Sequence, residues 1–295
     1  MRWYVIALLG FGCSLLALNW MVTIQNPKTQ RFSAGRWNIS HAFLISLTPQ
    51  TDLAQTIAST LGLQSITTFQ AINSTNVALD ALPLYTRHII NHGRSDHMQL
   101  PNREALGCLL SHAALWRKII ELEAPAFIFE EDILADEYTN QELEILFQEM
   151  QFSPHEILML DPGHLNTEGT WNYVGKTAAN CSRRCVWFGT RAYLLTPKGA
   201  SVLIRYLDPI SVQVDAYITL MATFHPRDFR MYWTRHQIFP LNFFRSSTIF
   251  DGCIKCYMPM SIVVYLLLVT VWCACIWRLM KPKKRIYSVV LQSPP

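Results

Sequence analysis

The alternation of apolar and polar positions is most regular between Asn102 and Asp132. Leu106, Leu109, Leu110, Ala113, Trp116 and Ile120 recur at the spacing of a helix with one buried face. Asn102 stands where it can cap that helix. Glu104 falls in the first turn, where a negative charge meets the positive end of the helix dipole. After a break at Ala124-Pro125, Ala126-Phe127-Ile128-Phe129 is continuously apolar, as expected of a central strand in a parallel sheet. It runs straight into Glu130-Glu131-Asp132. Three adjacent carboxylates at the end of a buried strand repel one another unless water, Arg or Lys, or a metal cation offsets their charge.

The same reading extends along the chain. Ala42–Leu47 predicts the first buried strand, and Asp52 caps a helix with Leu53, Ile57 and Leu61 on one face. Ile66–Ile72 predicts a second strand, rich in β-branched residues. Residues 73–101 read as irregular and polar. His88, His92 and His97 fall there, but their spacing fits no closed metal site, and a solvated loop beside an acceptor site is the expectation. Thr139 with Glu142 forms a capping box before a helix to Met150. Glu156–Leu160 predicts a strand ending at Asp161, residues 163–184 a loop, and Val186–Leu195 a strand or strand pair. Thr196-Pro197 opens a helix through Leu207, and Asp215 begins another. Residues 230–250 read as irregular, aromatic and basic, a composition suited to a binding lid. Strands alternating with helices predict an α/β domain with a largely parallel sheet and flanking helices. Ligands of such sheets bind at the carboxyl ends of the strands, where Glu130 to Asp132 and Asp161 fall.

Composition adds an expectation of membrane anchoring. The chain is 51% hydrophobic and 16% charged, and two segments, Trp3 to Gln25 and Cys256 to Trp277, carry no charge at all. Each is long enough to span a bilayer as a helix. No clear cleavage site follows the first, so a signal anchor is expected rather than a signal peptide. The expected organisation is an anchor over 1–25, a stem over 26–40, the α/β domain over 41–255, a second span over 256–280 and a tail over 281–295. Lys281, Lys283, Lys284 and Arg285 argue for a cytoplasmic tail. The net charge of +4 comes largely from these flanks and predicts no nucleic-acid partner. Cys181 with Cys185, and Cys253 with Cys256, are spaced for disulfides in an oxidising lumen, a four-cysteine zinc site being the alternative. Cys108 is expected to be a packed thiol.

Glu130 and Asp132 lie two apart, so an extended backbone projects both to one side while Glu131 points away. Two oxygen donors so placed suit Mg²⁺ or Mn²⁺ that also binds a diphosphate. The alternative is that these acids only cap the next turn.

Several stretches then resemble glycosyltransferase family 25, the group of lipooligosaccharide and procollagen galactosyltransferases. AFLISLTPQTDLAQTI resembles its first strand and helix, and FQAIN its second strand. REALGCLLSHAALWRKI resembles its most distinctive segment, with Gly107, Cys108, Ser111, His112 and Trp116 in register. FIFEED resembles its acidic strand end, and GTRAYLLTPKGASVLI, VQVDAY and IFPLNFFRSSTI its last third. Leu53 stands where the family usually has arginine, and Glu131 where it usually has aspartate.

The resemblance implies a GT-A-like fold and an inverting, metal-dependent hexosyltransferase using a UDP-sugar, with galactose the expected sugar and a glycan or glycoprotein the acceptor. It makes Glu130 and Asp132 ligands of Mn²⁺ (or Mg²⁺) and of the nucleotide-sugar. Ser111 and His112 become residues near the donor, and Asp215 the general base or an additional metal contact. With the two spans, the expected location is the Golgi or ER membrane with a lumenal catalytic domain, or else the cytoplasmic face of a bacterial inner membrane. The competing expectation is a catalytically inactive relative serving as a membrane-bound binding or adhesion module.

Overall fold

A computed structural model describes residues 31–150, 156–161, 164–165, 170–174, 178–183 and 187–242, with 164–188 as backbone only. The strands are β1 (His41–Ser46), β2 (Thr67–Gln70), β3 (Ala126–Glu130), β4 (Ile157–Met159), β5 (His164–Leu165), β6 (Thr170–Val174), β7 (Ala178–Arg183), β8 (Trp187–Phe188), β9 (Ala192–Leu195) and β10 (Met231–Thr234). The helices are α1 (Thr51–Leu61), α2 (Leu84–His92), α3 (Arg103–Leu122), α4 (Glu137–Met150), α5 (Pro197–Arg205) and α6 (Val214–Phe224).

Strand β3 explains the layering. Its side chains alternate between faces, and both faces are covered. Ala126 and Ile128 join a core with Leu109, Ala113 and Trp116 of α3, Leu203 of α5 and Ile218 of α6. Phe127 and Phe129 join the opposite core with Ile57 and Leu61 of α1 and Leu143 and Phe147 of α4. Phe32, Ala34 and Ile39, ahead of β1, also pack into that second core.

Eight strands form one sheet in the order β2-β1-β3-β9-β4-β10-β7-β6. The expected α/β layering holds, but the sheet is mixed rather than largely parallel. Strand β1 is parallel to β2 and β3, and β10 to β4. Strand β9 is antiparallel to both β3 and β4, pairing Phe127 with Leu194 and Leu158 with Leu194. It therefore enters the sheet from the end at which β3 and β4 leave it. Within 73–101 the structure has helix α2 where irregular chain was expected. The expected lid over 230–250 contains β10, and its next residues are stitched to the body. Ile238 N–H donates to Leu160 O (2.9 Å) and Leu134 N–H to Pro240 O (2.8 Å). Residues 243–250 lie outside the described residues.

The expected membrane spans need correction too. No helix among the described residues is long and apolar enough to cross a membrane. The longest, α3, has 20 residues, about the length of a span, but carries Arg103, Glu104, Arg117, Lys118 and Glu121. Helix α6 is more apolar but has only 11 residues. The structure thus gives no support to membrane anchoring or to the Golgi, ER or inner-membrane location built on it. The segments 1–25 and 256–280, and the cysteine pairs with their expected disulfides, lie outside the described side chains.

Several helix starts follow their caps. Asn102 accepts from Ala105 N–H (2.9 Å) at α3, and Thr196 from Gly199 N–H (3.2 Å) at α5. At α4 the reciprocal pair is Asp136 with Thr139 rather than Thr139 with Glu142. Thr139 N–H donates to Asp136 Oδ1 (2.8 Å), and Asp136 N–H to Thr139 Oγ1 (3.2 Å). Asp52 sits in the first turn of α1, one position inside a helix that starts at Thr51.

Gly107 lets α3 lie against the chain after β2. A Cβ there would stand 2.7 Å from the carbonyl oxygen of Ile72 and 3.2 Å from Ser74 N. Alanine in mid-helix gains about 1 kcal/mol over glycine in an open setting, whereas overpacking costs roughly 1–3 kcal/mol. Gly107→Ala is expected to destabilise the chain by up to about 2 kcal/mol net, read as a lower urea midpoint with unchanged slope. An unchanged or raised midpoint would contradict the close approach.

Candidate functional site

Three strand ends converge. Strands β3 and β4 finish at Glu130 and just before Asp161, and β9 begins after Thr190-Arg191. Glu130 N–H donates to Arg191 O (2.8 Å) and Leu160 N–H to Ala192 O (2.9 Å), which fixes these ends side by side. Helix α6 brings Asp215 in its first turn.

Glu130 is met by two side chains from outside its strand. Thr190 Oγ1–H donates to its Oε1 (2.6 Å), and His112 Nε2 lies 3.3 Å from the same oxygen. His112 is fully buried, with Nδ1 2.7 Å from the Tyr193 hydroxyl. Trp116 Nε1–H donates to that hydroxyl (3.0 Å). Indole nitrogen only donates, so Tyr193 accepts from Trp116 and its own O–H can donate a hydrogen bond to His112 Nδ1. The imidazole then carries hydrogen on Nε2 and donates to Glu130. Burial alone would push the Glu130 carboxyl up. The His112 hydrogen bond, the Thr190 hydroxyl and the Arg191 guanidinium overrule it and hold Glu130 below the ordinary glutamate value.

The other acids behave oppositely. Burial pushes Asp132 up to about 7, and the Glu130 charge adds to the effect while Arg191 opposes it. Burial pushes Asp161 up to about 6 against the charge and hydrogen bond of Arg191, whose Nε forms an ion pair with Asp161 Oδ2. Burial likewise pushes Asp215 up to about 6. Its carboxylate accepts from Ala216 N–H (2.7 Å) and Gly189 N–H (3.1 Å), so it serves the helix start and also ties the β8–β9 connection to α6. Asp132 Oδ1 and Asp161 Oδ1 are buried with no hydrogen-bond partner among the described residues.

The expected site residues are distributed as follows. Glu130 and Asp132 act on each other's charge, and Asp215 feels Glu130. Extended geometry ends at Glu130, with Glu131 and Asp132 in a turn. Glu131 is drawn instead to the end of β1, where Ser46 Oγ–H donates to it. His112 is held against Glu130. Ser111 is not: its hydroxyl donates to Gly107 O (2.7 Å) and accepts from Ile72 N–H (2.8 Å), holding the chain after β2 onto α3. Cys108 is half-buried and turned toward the acids; burial pushes its thiol up, and Glu130, Asp215 and Asp132 add to that.

Reading the sequence missed Thr190, Arg191 and Tyr193. Tyr193 left a signal, since a phenol inside an apolar strand needs a partner for its hydroxyl. A separate groove of about 660 Å³, lined by Arg31, Ser33, Gln55, Thr60, Asp136 and Asn140 among others, contains none of the acids at the strand ends. His88 and His92 stack on α2 with centroids 4.3 Å apart. Among the described residues, the group of His, Cys and acid ligand atoms close enough to share a cation is Cys108, His112 and Glu130.

The family model of glycosyltransferase family 25 (LPS biosynthesis protein) matches residues 39–218, more than half of the chain. That span includes Cys108, His112, Glu130, Asp132, Asp161, Arg191 and Asp215. No curated protein matches the chain.

Asp132, Asp161 and Asp215 keep their protons to higher pH than an unfolded aspartate, which titrates near about 3.9. The stability they contribute is complete below about pH 4 and is lost as the pH rises through about 6 to about 7. The thermal midpoint of the metal-free chain is expected to fall across that window. Asp132→Asn should flatten the fall and raise the midpoint at about pH 8. Circular dichroism melts over a pH series check this; a substitution that leaves the pH slope unchanged contradicts it.

Proposed function

The chain belongs to glycosyltransferase family 25, and on that premise we propose that it transfers galactose from UDP-galactose to a glycan acceptor of the lipopolysaccharide kind, with inversion at the anomeric carbon. The observation that carries this reading is the set of opposed carboxylates at one end of the sheet. Glu130 is held ionised, while burial raises Asp132 to about 7 and Asp161 and Asp215 to about 6.

The residues fit a divalent cation. The orphaned Asp132 Oδ1 and Asp161 Oδ1 are buried hard donors with no proton donor facing them, the chemistry that Mn²⁺ or Mg²⁺ takes. Glu130 and Asp132 would hold the ion. Once bound, it would supply Lewis-acid stabilisation of the negative charge that gathers on the departing diphosphate.

The remaining work falls to the chain itself. His112, fixed by Tyr193, and Thr190 orient Glu130. Arg191 offsets the negative charge of the acids and gives an anionic donor a cationic neighbour. Asp215 takes the proton of the acceptor hydroxyl as its oxygen bonds to the anomeric carbon and the bond from that carbon to the diphosphate breaks. A base with a pKa near 6 is largely ionised at neutral pH and still basic enough to accept that proton.

A donor screen with the purified chain, with and without Mn²⁺, tests the reading. Transfer from UDP-galactose is expected, lost with EDTA and in Asp132→Ala. Asp215→Asn should lower kcat by about 10²- to 10⁴-fold with little change in the KM for donor. Activity indifferent to both EDTA and Asp132→Ala would overturn the metal role. Absence of UDP binding by calorimetry in millimolar Mn²⁺ would favour a non-catalytic binding module.

A further inference from the structure

Cys108 has no part in the proposed reaction, yet it faces it. Residues 108 and 112 are one helical turn apart on α3, so the thiol and the imidazole project from the same face. Glu130 comes to them from the end of β3. The Cys108 sulfur, a His112 nitrogen and a Glu130 oxygen all lie within 4.8 Å of one another.

The separation of His112 Nε2 and Glu130 Oε1 is 3.3 Å. That is long for an N–H···O hydrogen bond, typically about 2.9–3.0 Å. It matches the edge between a nitrogen and an oxygen ligand of a tetrahedral zinc ion, about 3.3–3.5 Å from bond lengths of about 2.0–2.2 Å. His112 is also buttressed as metal-bound histidines are, with its other nitrogen 2.7 Å from the Tyr193 hydroxyl.

From this geometry we infer that Cys108, His112 and Glu130 form a three-ligand site for a thiophilic divalent cation of the Zn²⁺ class, and that its occupancy inhibits transfer by withdrawing Glu130 from the donor. The inhibitory half rests on the glycosyltransferase reading above; the metal site itself does not. Sulfur with nitrogen selects Zn²⁺ or Co²⁺, whereas Mn²⁺ and Mg²⁺ prefer oxygen. The two cations therefore compete for Glu130. Three protein ligands leave a fourth position open.

Binding is balanced without any co-reactant. The Cys108 thiol loses its proton to solvent as the sulfur–metal bond forms. His112 takes the opposite tautomer, with hydrogen on Nδ1 toward Tyr193 and the Nε2 lone pair toward the cation. A hydroxyl donates or accepts, so Tyr193 serves both states.

Co²⁺ is the probe for the site. Titrating the full chain with Co²⁺ should produce the near-ultraviolet thiolate-to-cobalt band and the visible bands of a tetrahedral centre at one equivalent, and Cys108→Ser should abolish the thiolate band. In the wild-type chain, Zn²⁺ should also protect Cys108 from iodoacetamide, read by peptide mass spectrometry, which requires no variant to fold. A band that persists in Cys108→Ser, or Cys108 alkylation unchanged by Zn²⁺, overturns the site. Zn²⁺ should inhibit transfer by the wild-type chain and not by Cys108→Ser. Cobalt and protection results as expected with equal inhibition of both chains would overturn only the inhibitory role.

Discussion

An ionised carboxylate at the end of a buried strand needs donors from outside that strand, and Glu130 draws them from two remote places. His112 lies 18 residues before it and Thr190 60 residues after it. Leaving such a charge uncompensated costs on the order of 3–5 kcal/mol, comparable to much of a domain's net stability. The donors therefore dictate where their elements sit. Helix α3 must present His112 to the strand end, and β9 must start there, so that Thr190 and Arg191 precede it at the same edge. Tyr193 and Trp116 extend the network into the core, where the two rings are fully buried.

That arrangement sorts the acids into two kinds. Glu130 gains enough donors to stay charged through neutral pH. In Asp132, Asp161 and Asp215 burial outweighs whatever donors and cations each has. Environments that push carboxylates apart in pKa divide their chemical roles. One group is a permanent negative anchor. The others sit where a proton or a cation changes their state near neutral pH. Arg191 links the two kinds, since its guanidinium acts on Glu130, Asp132 and Asp161 together.

The parts legible in the sequence were those with local causes. Helix α3 was announced by its apolar period and its Asn102 cap, and β3 by apolar residues on both faces. The direction of β9 was not legible, because a strand buried on both faces reads the same in either sense. Helix α2 escaped because only Thr86 and Ile89 of it are buried, too few to show a period. At α4 the expected Thr139 cap gives way to Asp136, which also accepts the Thr139 hydroxyl (3.0 Å). Thr190 and Arg191 gave no periodic signal, being two polar residues before a short strand. Their roles exist only once β9 is laid against β3. Ser111 and His112 are adjacent in sequence yet separate in role, since a helix turns them to different neighbours.

The two departures from the family pattern now have physical readings. Glu131 stands where the family resemblance leads one to expect aspartate, and its side chain meets Ser46 at the end of β1. Glu131 and Glu130 thus take different partners. Leu53 replaces an arginine and packs, half-buried, against the core beneath α1. Among the described residues, the cation that acts on the acids comes instead from Arg191, on the opposite flank of β3. It is positioned by backbone pairing, with its carbonyl accepting from Glu130 N–H. Its charge is thereby fixed by the same ladder that fixes the acids, so the electrostatic balance of the site is set by the fold of the sheet.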